Sequence, residues 1–187
     1  MNNQRQRLLV GTRGSKLALI QTEEILRELR SKHPELQFEV LVISTRPDVR
    51  WQDPLASFST GMFVKELEHA LVDGMVDIAI HSLKDLPTDI PTQLSIAAIG
   101  HRADARDVLI SHSNLSLTQL QKGASLGTSS PRRASQVKAL RQDLTIVPIR
   151  GNVDTRLKKV QDGECDAIVM AAAGIQRLGL TNEITQY

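Results

Sequence analysis

Short runs of β-branched and small apolar residues alternate along this chain with stretches whose apolar residues recur every three to four positions. That alternation predicts α/β architecture, with helices packed on mainly parallel sheets. Residues 8–12 read as a strand. Residues 16–30 read as a helix, with Leu17, Ile20, Ile25 and Leu29 on one stripe and Ser15 as its cap. A second strand is expected over 38–43. The stretch 44–61, rich in serine, threonine and proline, reads as a long mobile loop, and loops of that length are often lids or binding segments. Residues 62–72 read as a helix whose Lys65, Glu66 and Glu68 form a solvated face, and 77–80 as a buried strand. A further strand is expected over 94–99, and the charge-rich stretch 100–106 reads as a hinge.

Beyond the hinge the alternation restarts. Strands are expected over 107–111, 125–127, 145–149 and 166–170, and helices over 117–121, 131–141, 153–161 and 171–178. Two α/β domains follow, 1–99 and 100–187. A length of 187 residues suits either one large domain or two small ones. A net charge of +2 and an aromatic content of 3% argue against nucleic acid as a partner. The polar start lacks the apolar core of a signal peptide, and no apolar run is long enough to span a bilayer. Cys165 is the single cysteine, which excludes an internal disulfide framework and fits a reducing cytoplasm.

Two kinds of strand end carry candidate chemistry. His81-Ser82-Leu83-Lys84-Asp85-Leu86-Pro87 follows the apolar run ending at Ile80, so Lys84 and Asp85 are expected at a strand's carboxyl end. In open α/β sheets ligands bind at that rim. Taken alone, Lys84 and Asp85 read better as a surface ion pair, because such pairs are common and contribute little. The second kind is basic. In Thr128-Ser129-Ser130-Pro131-Arg132-Arg133 the serines supply caps, Pro131 fits the first helical position, and both arginines fall in the first turn. A helix amino terminus is the positive end of the macrodipole, so paired arginines there call for an anion between them. Arg13, Arg150 and Arg156 lie in two further strand-to-helix segments, and Arg177 lies in the last helix. Arg156 or Arg177 alone reads as a solvated helix residue, and Gly151 as a turn residue. Together with Lys84 they describe a cleft for a ligand bearing several carboxylates or phosphates. The phosphate-loop and dinucleotide glycine signatures are absent, which disfavours nucleotides. No metal site is read from the sequence.

The stretches GTRGSKLAL, FVKELE, DIAIHSLKDLP, DARDVLIS, GTSSPRRASQ, RGNVDTRLKK and AAAGIQRLGL resemble the porphobilinogen deaminase (hydroxymethylbilane synthase) family of tetrapyrrole biosynthesis, over about residues 8–180. The resemblance implies two domains of the type II periplasmic-binding-protein fold with a cleft between them. It also implies stepwise condensation of four porphobilinogen molecules, with loss of ammonia, to linear hydroxymethylbilane. Asp85 occupies the family's catalytic aspartate position, where a carboxylate would stabilise the electron-deficient azafulvene formed on deamination. By the same resemblance Arg13, Ser15, Lys84, Ser130, Arg132, Arg133, Arg150, Arg156 and Arg177 hold the dipyrromethane cofactor and the growing chain's carboxylates. Thr128 and Ser129 contribute through hydroxyl or backbone contacts, and Gln21 lies near this cleft in the family pattern.

Two departures stand out. Residues 57–61 are shorter than the family's glycine- and lysine-rich loop and lack its lysines. The family's third domain, with the cysteine that anchors the cofactor through a thioether, and the crossover returning to the first domain have no counterpart here. Cys165 precedes a buried strand and reads as a packed, unreactive thiol. Family members are usually monomeric, but a sheet lacking the crossover strand would expose an edge, so reduced stability or self-association is expected. Three other readings are an inactive fragment of the enzyme, a non-catalytic anion-binding module on the same scaffold, and a phosphate or nucleic-acid binder. His81 reads as a core histidine rather than a proton shuttle.

Overall fold

The structure, a computed structural model, describes residues 7–44 and 64–187. The expected loop over 44–61 lies outside the described residues except at Ser44. The chain divides into two compact units, Met1–His101 and Arg102–Tyr187.

In the first unit β1 (Arg7–Arg13) lies between β2 (Gln37–Ile43) and β3 (Ile78–Ala79), and both pairings are parallel. Helix α1 (Lys16–Lys32) starts where Ser15, in extended conformation, turns its Oγ to the Ala18 N–H at 3.2 Å. Its buried face carries Thr22 and Leu26. The Thr22 hydroxyl donates to the Ala18 carbonyl and lies 2.7 Å from the hydroxyl of buried Thr12, so a polar pair ties helix to strand without an orphaned group. Helix α2 (Lys65–Val72) buries Leu67 and Ala70. A side chain at Gly11 would meet Leu67 Cδ2 at 3.0 Å and Val76 Cγ2 at 3.1 Å, so glycine is what lets α2 approach β1. The Lys65, Glu66 and Glu68 face departs from expectation. Lys65 is exposed, but Glu66 and Glu68 are half-buried and each has a carboxylate oxygen closed off from solvent. Both sit in the first turn, where the helix amino terminus favours negative charge.

The expected strand over 94–99 does not form. The segment has no regular structure, and Ile96 and Ile99 are 48% and 70% exposed. Among the described residues no strand lies beside it, and an apolar run becomes a strand only against a neighbour that completes its ladder.

The second unit is a four-stranded sheet in the order β4-β7-β5-β6, from β4 (Asp107–Ser111), β5 (Ser125–Gly127), β6 (Thr145–Val147) and β7 (Ala167–Ala171). Helices α3 (Pro131–Leu140), α4 (Val153–Gln161) and α5 (Ala172–Arg177) follow β5, β6 and β7. β5 pairs parallel with β6 and β7, but β4 runs antiparallel to β7, with Asp107 opposite Ala171. Two apolar clusters hold the layers together, one around Ile168 and Ile175, the other around Leu126 and Leu144. The expected helix over 117–121 is a turn. Gln119 and Leu120 bond back to the Ser116 carbonyl, but the segment ends before Gly123, whose φ is +82°. Arg141 then closes this corner, donating to the carbonyls of Leu117 and Leu120 and pairing with Asp143.

Candidate functional site

In a parallel sheet every strand that enters a helix turns at the same edge, so the chemistry of that edge is set by the first residues after each strand. In the first unit those residues are Arg13, at the end of β1, and the segment following β3. Ile80 N–H still bonds to the Gly11 carbonyl at 3.0 Å, and the chain then closes a short 3₁₀ turn, Leu83–Asp85. Lys84 is exposed and Asp85 half-buried on this turn. The Ser82 hydroxyl donates to Gln21 Oε1 at 3.0 Å, fastening the turn to α1. Arg13, Ser15, Gln21, Lys84 and Asp85 thus belong to one edge of the first sheet. Arg13 and His81 each make contacts of their own.

The second unit collects more. Thr128 is buried, and its hydroxyl accepts from Ser130 N–H at 3.2 Å. Ser129 Oγ donates to the Ile149 carbonyl at 2.7 Å and accepts the Ile149 N–H at 3.1 Å, stitching the start of α3 to the segment after β6. Ser130 caps α3, with a long 3.4 Å contact from Arg133 N–H. These hydroxyls shape the turn, while the arginines beyond it carry the charge. Gly151, at φ +106°, makes the corresponding turn before α4, and the Arg156 Nε reaches back to its carbonyl at 2.8 Å. Arg150 opens this turn. Arg177 is the last residue of α5, roughly 9 Å of helix beyond the edge.

One residue of this edge escaped sequence reasoning. Asp107 is the first residue of β4, and because β4 is antiparallel its start lies beside the ends of the parallel strands. Asp107 Oδ1 accepts from Arg133 Nη2 at 2.6 Å, and Oδ2 from Arg132 Nη2 at 2.8 Å. The anion that the paired arginines call for is therefore, in part, internal. Burial alone would raise the Asp107 carboxyl, but the hydrogen bonds from Arg133 and Arg132 outweigh it and hold the group below the usual carboxylate range. The cations are not fully answered by it. Arg133 Nε is buried and has no hydrogen-bond partner among the described residues. Burial pushes the Arg156 guanidinium down, and the charge of Arg133 adds to that. An edge with a buried N–H unused and two mutually repelling guanidiniums suits carboxylate or phosphate.

The sequence model of the family described as "Porphobilinogen deaminase, dipyromethane cofactor binding domain" matches residues 8–187. The chain belongs to the porphobilinogen deaminase family. It is 49% identical over 183 residues to the porphobilinogen deaminase of Roseiflexus sp. (strain RS-1), covering 97% of this chain and 60% of that protein. It is 48% identical over 179 residues to the porphobilinogen deaminase of Syntrophus aciditrophicus (strain SB), covering 95% and 58%. The chain thus spans about 60% of the length of such family relatives. A candidate methionine-binding lipoprotein of Bacillus subtilis aligns with 97% of this chain and 77% of its own at a TM-score of 0.56 and 15% identity. That likeness shows the fold, that of type II periplasmic binding proteins, and nothing of the ligand.

The family description names a dipyrromethane cofactor, and a guanidinium with unmet hydrogen-bonding capacity, that of Arg133, would complement carboxylates borne by such a group. Cys165 is placed differently. It is 4% exposed within the core, its thiol pushed up by burial, with the Asp166 charge adding to the effect. Among the described residues no three His, Cys, Asp or Glu side chains could hold a metal ion together, and no helix is long and apolar enough to cross a membrane.

Proposed function

We propose that this chain serves the condensation of four porphobilinogen molecules, with loss of ammonia, into linear hydroxymethylbilane. The observation that carries the reading is the strand-end cluster of Arg132, Arg133 and Arg156, with Arg133 Nε buried and without a partner among the described residues. Carboxylates of substrate and product are the complementary charges. In the second unit Arg132, Arg133, Arg150, Arg156 and Arg177 are the residues suited to such carboxylates, and in the first unit, taken by itself, Arg13, Ser15 and Lys84 are. Thr128, Ser129 and Ser130 fix the turn on which Arg132 and Arg133 stand. Dipyrromethane, when bound, supplies the pyrrole end on which the product chain grows.

Asp85 is the catalytic carboxylate. Loss of ammonia leaves positive charge on the substrate pyrrole, and a fixed carboxylate near the ring N–H lowers the energy of that charge and accepts a proton as the ring regains aromaticity. The 3₁₀ turn held by Ser82 and Gln21 limits the motion of Asp85, which keeps the charge oriented before reaction. The reading places the reaction in the cytoplasm, on a small-molecule substrate and without nucleic acid or membrane.

The test is Asp85→Asn, an isosteric change that deletes the charge. The variant is expected to bind porphobilinogen as the unaltered chain does and to release ammonia at least a hundredfold more slowly. Undiminished ammonia release would remove Asp85 from the role.

A further inference from the structure

We propose that Asp107 is a positioning residue for the anion site of the second unit. Its carboxylate holds the guanidinium groups of Arg132 and Arg133 in the orientation that receives a ligand carboxylate. This rests on reading the site as a seat for porphobilinogen carboxylates, and it assigns a role to an acidic residue set among the cations.

An acid in an anion site invites two explanations with opposite consequences. It could occupy the seat and compete with the ligand, or it could arrange the cations and leave the seat open. The geometry decides between them. Asp107 takes one terminal nitrogen from each arginine, with a separate oxygen for each, so neither guanidinium is saturated. Arg132 is held on its other terminal nitrogen by Gln136 Oε1 at 2.9 Å, which leaves its orientation defined from two sides. Arg133 keeps a buried Nε–H without a partner among the described residues while Asp107 is bound to it. A competitor would have answered that donor.

Charge supplies the second strand of the argument. Arg133 bears on Arg156, whose Nε is already engaged by the Gly151 carbonyl. Removing the Asp107 carboxylate takes a counter-ion from Arg133, whose side chain is only 15% exposed, while the repulsion from Arg156 stays. Asp107 reaches this position because β4 is antiparallel, which brings the start of that strand to the edge where the helices begin.

The test uses the sign of the effect. Porphobilinogen is titrated calorimetrically into the chain, Asp107→Asn and Asp107→Glu, with thermal melts run on each. Asp107→Asn raises the net charge by one, so competition predicts tighter binding. Positioning predicts binding weaker by roughly tenfold, the loss of one charge-assisted contact, with part of the affinity recovered in Asp107→Glu. Binding unchanged or tightened in Asp107→Asn overturns the proposal while leaving the functional reading intact. Should Asp107→Asn fail to fold, Asp107→Glu decides alone: it keeps the charge but displaces the carboxylate by a methylene, so weaker binding supports positioning and unchanged binding overturns it. No binding by the unaltered chain overturns the functional reading and this proposal with it.

Discussion

Ser129→Ala removes one oxygen atom and is expected to unsettle the whole arginine edge. The Ser129 hydroxyl both donates to and accepts from the backbone of Ile149, at 2.7 and 3.1 Å. Ile149 is 4% exposed, so water cannot readily replace either bond. Alanine leaves a buried N–H and a buried carbonyl unmet together, and each such group costs about 1–3 kcal/mol. Some relaxation of the turn offsets part of the sum, giving about 2 kcal/mol for the variant. For a cooperative unit the size of the second one, that lowers the melting temperature by roughly 8–16 °C. The assay is thermal and urea unfolding followed by circular dichroism, with Ser130→Ala as the comparison. Ser130 makes a longer cap contact, so its loss is expected to cost about 0.5–1 kcal/mol. Porphobilinogen affinity should fall with Ser129→Ala, because the stitched turn carries Arg132 and Arg133. A Ser129→Ala variant within about 0.5 kcal/mol of the unaltered chain would refute the reasoning, since that is the spread of ordinary surface substitutions.

Other substitutions test other parts. Gly151→Ala places a methyl 2.7 Å from Thr155 Cβ at a φ of +106°, so urea melts should show a loss of about 1–3 kcal/mol and titration a weaker porphobilinogen site. Stability should be flat from pH 7 to 5 as far as the arginine-paired carboxylates govern it. The hydrogen bond from Arg141 holds Asp143 at about 2, below its ordinary 3.8, so its stabilisation is full above the ordinary value and is lost as pH falls through the folded one. Asp104 and Asp107 are lowered as well, so melting temperatures should drop mainly below pH 4, and Asp143→Asn should reduce that drop. Cys165, buried with its thiol pushed up, should react with iodoacetamide far more slowly in the native chain than in urea, and equal rates would contradict its burial.

The alternation of periods was enough to read most helices and strands, because each is written in a local run: Lys16–Lys32, Val153–Gln161 and Ser125–Gly127 all carry their own signals. Residues 94–99 looked like a strand for the same reason and are not one, since a strand needs a neighbour and no local pattern records whether a neighbour exists. The antiparallel run of β4 was equally invisible. Strand direction depends on how the chain returns, and Arg106-Asp107-Val108 carries no local mark of the antiparallel pairing with β7. Asp107 was missed as a consequence. Its one local signal was a charged residue opening an otherwise apolar strand, next to a sequence already rich in arginine. The arginines themselves were legible, because cations in the first turn of a helix conflict with its dipole and so ask for an anion. Which hydroxyls serve the turn rather than a ligand was not legible, since the Ser129 contact spans twenty residues.

The most direct measurement follows the arginine side chains by ¹H–¹⁵N spectroscopy as porphobilinogen is added. Arg133 Nε–H, buried and without a described partner, should shift and exchange more slowly, while the Nε–H of Arg141, already bound to Asp143, should stay where it is. Movement of Arg133 with Arg141 unchanged is the predicted result. No response at Arg133 at saturating porphobilinogen, or an equal response at both, would contradict the assignment of this edge as the carboxylate seat.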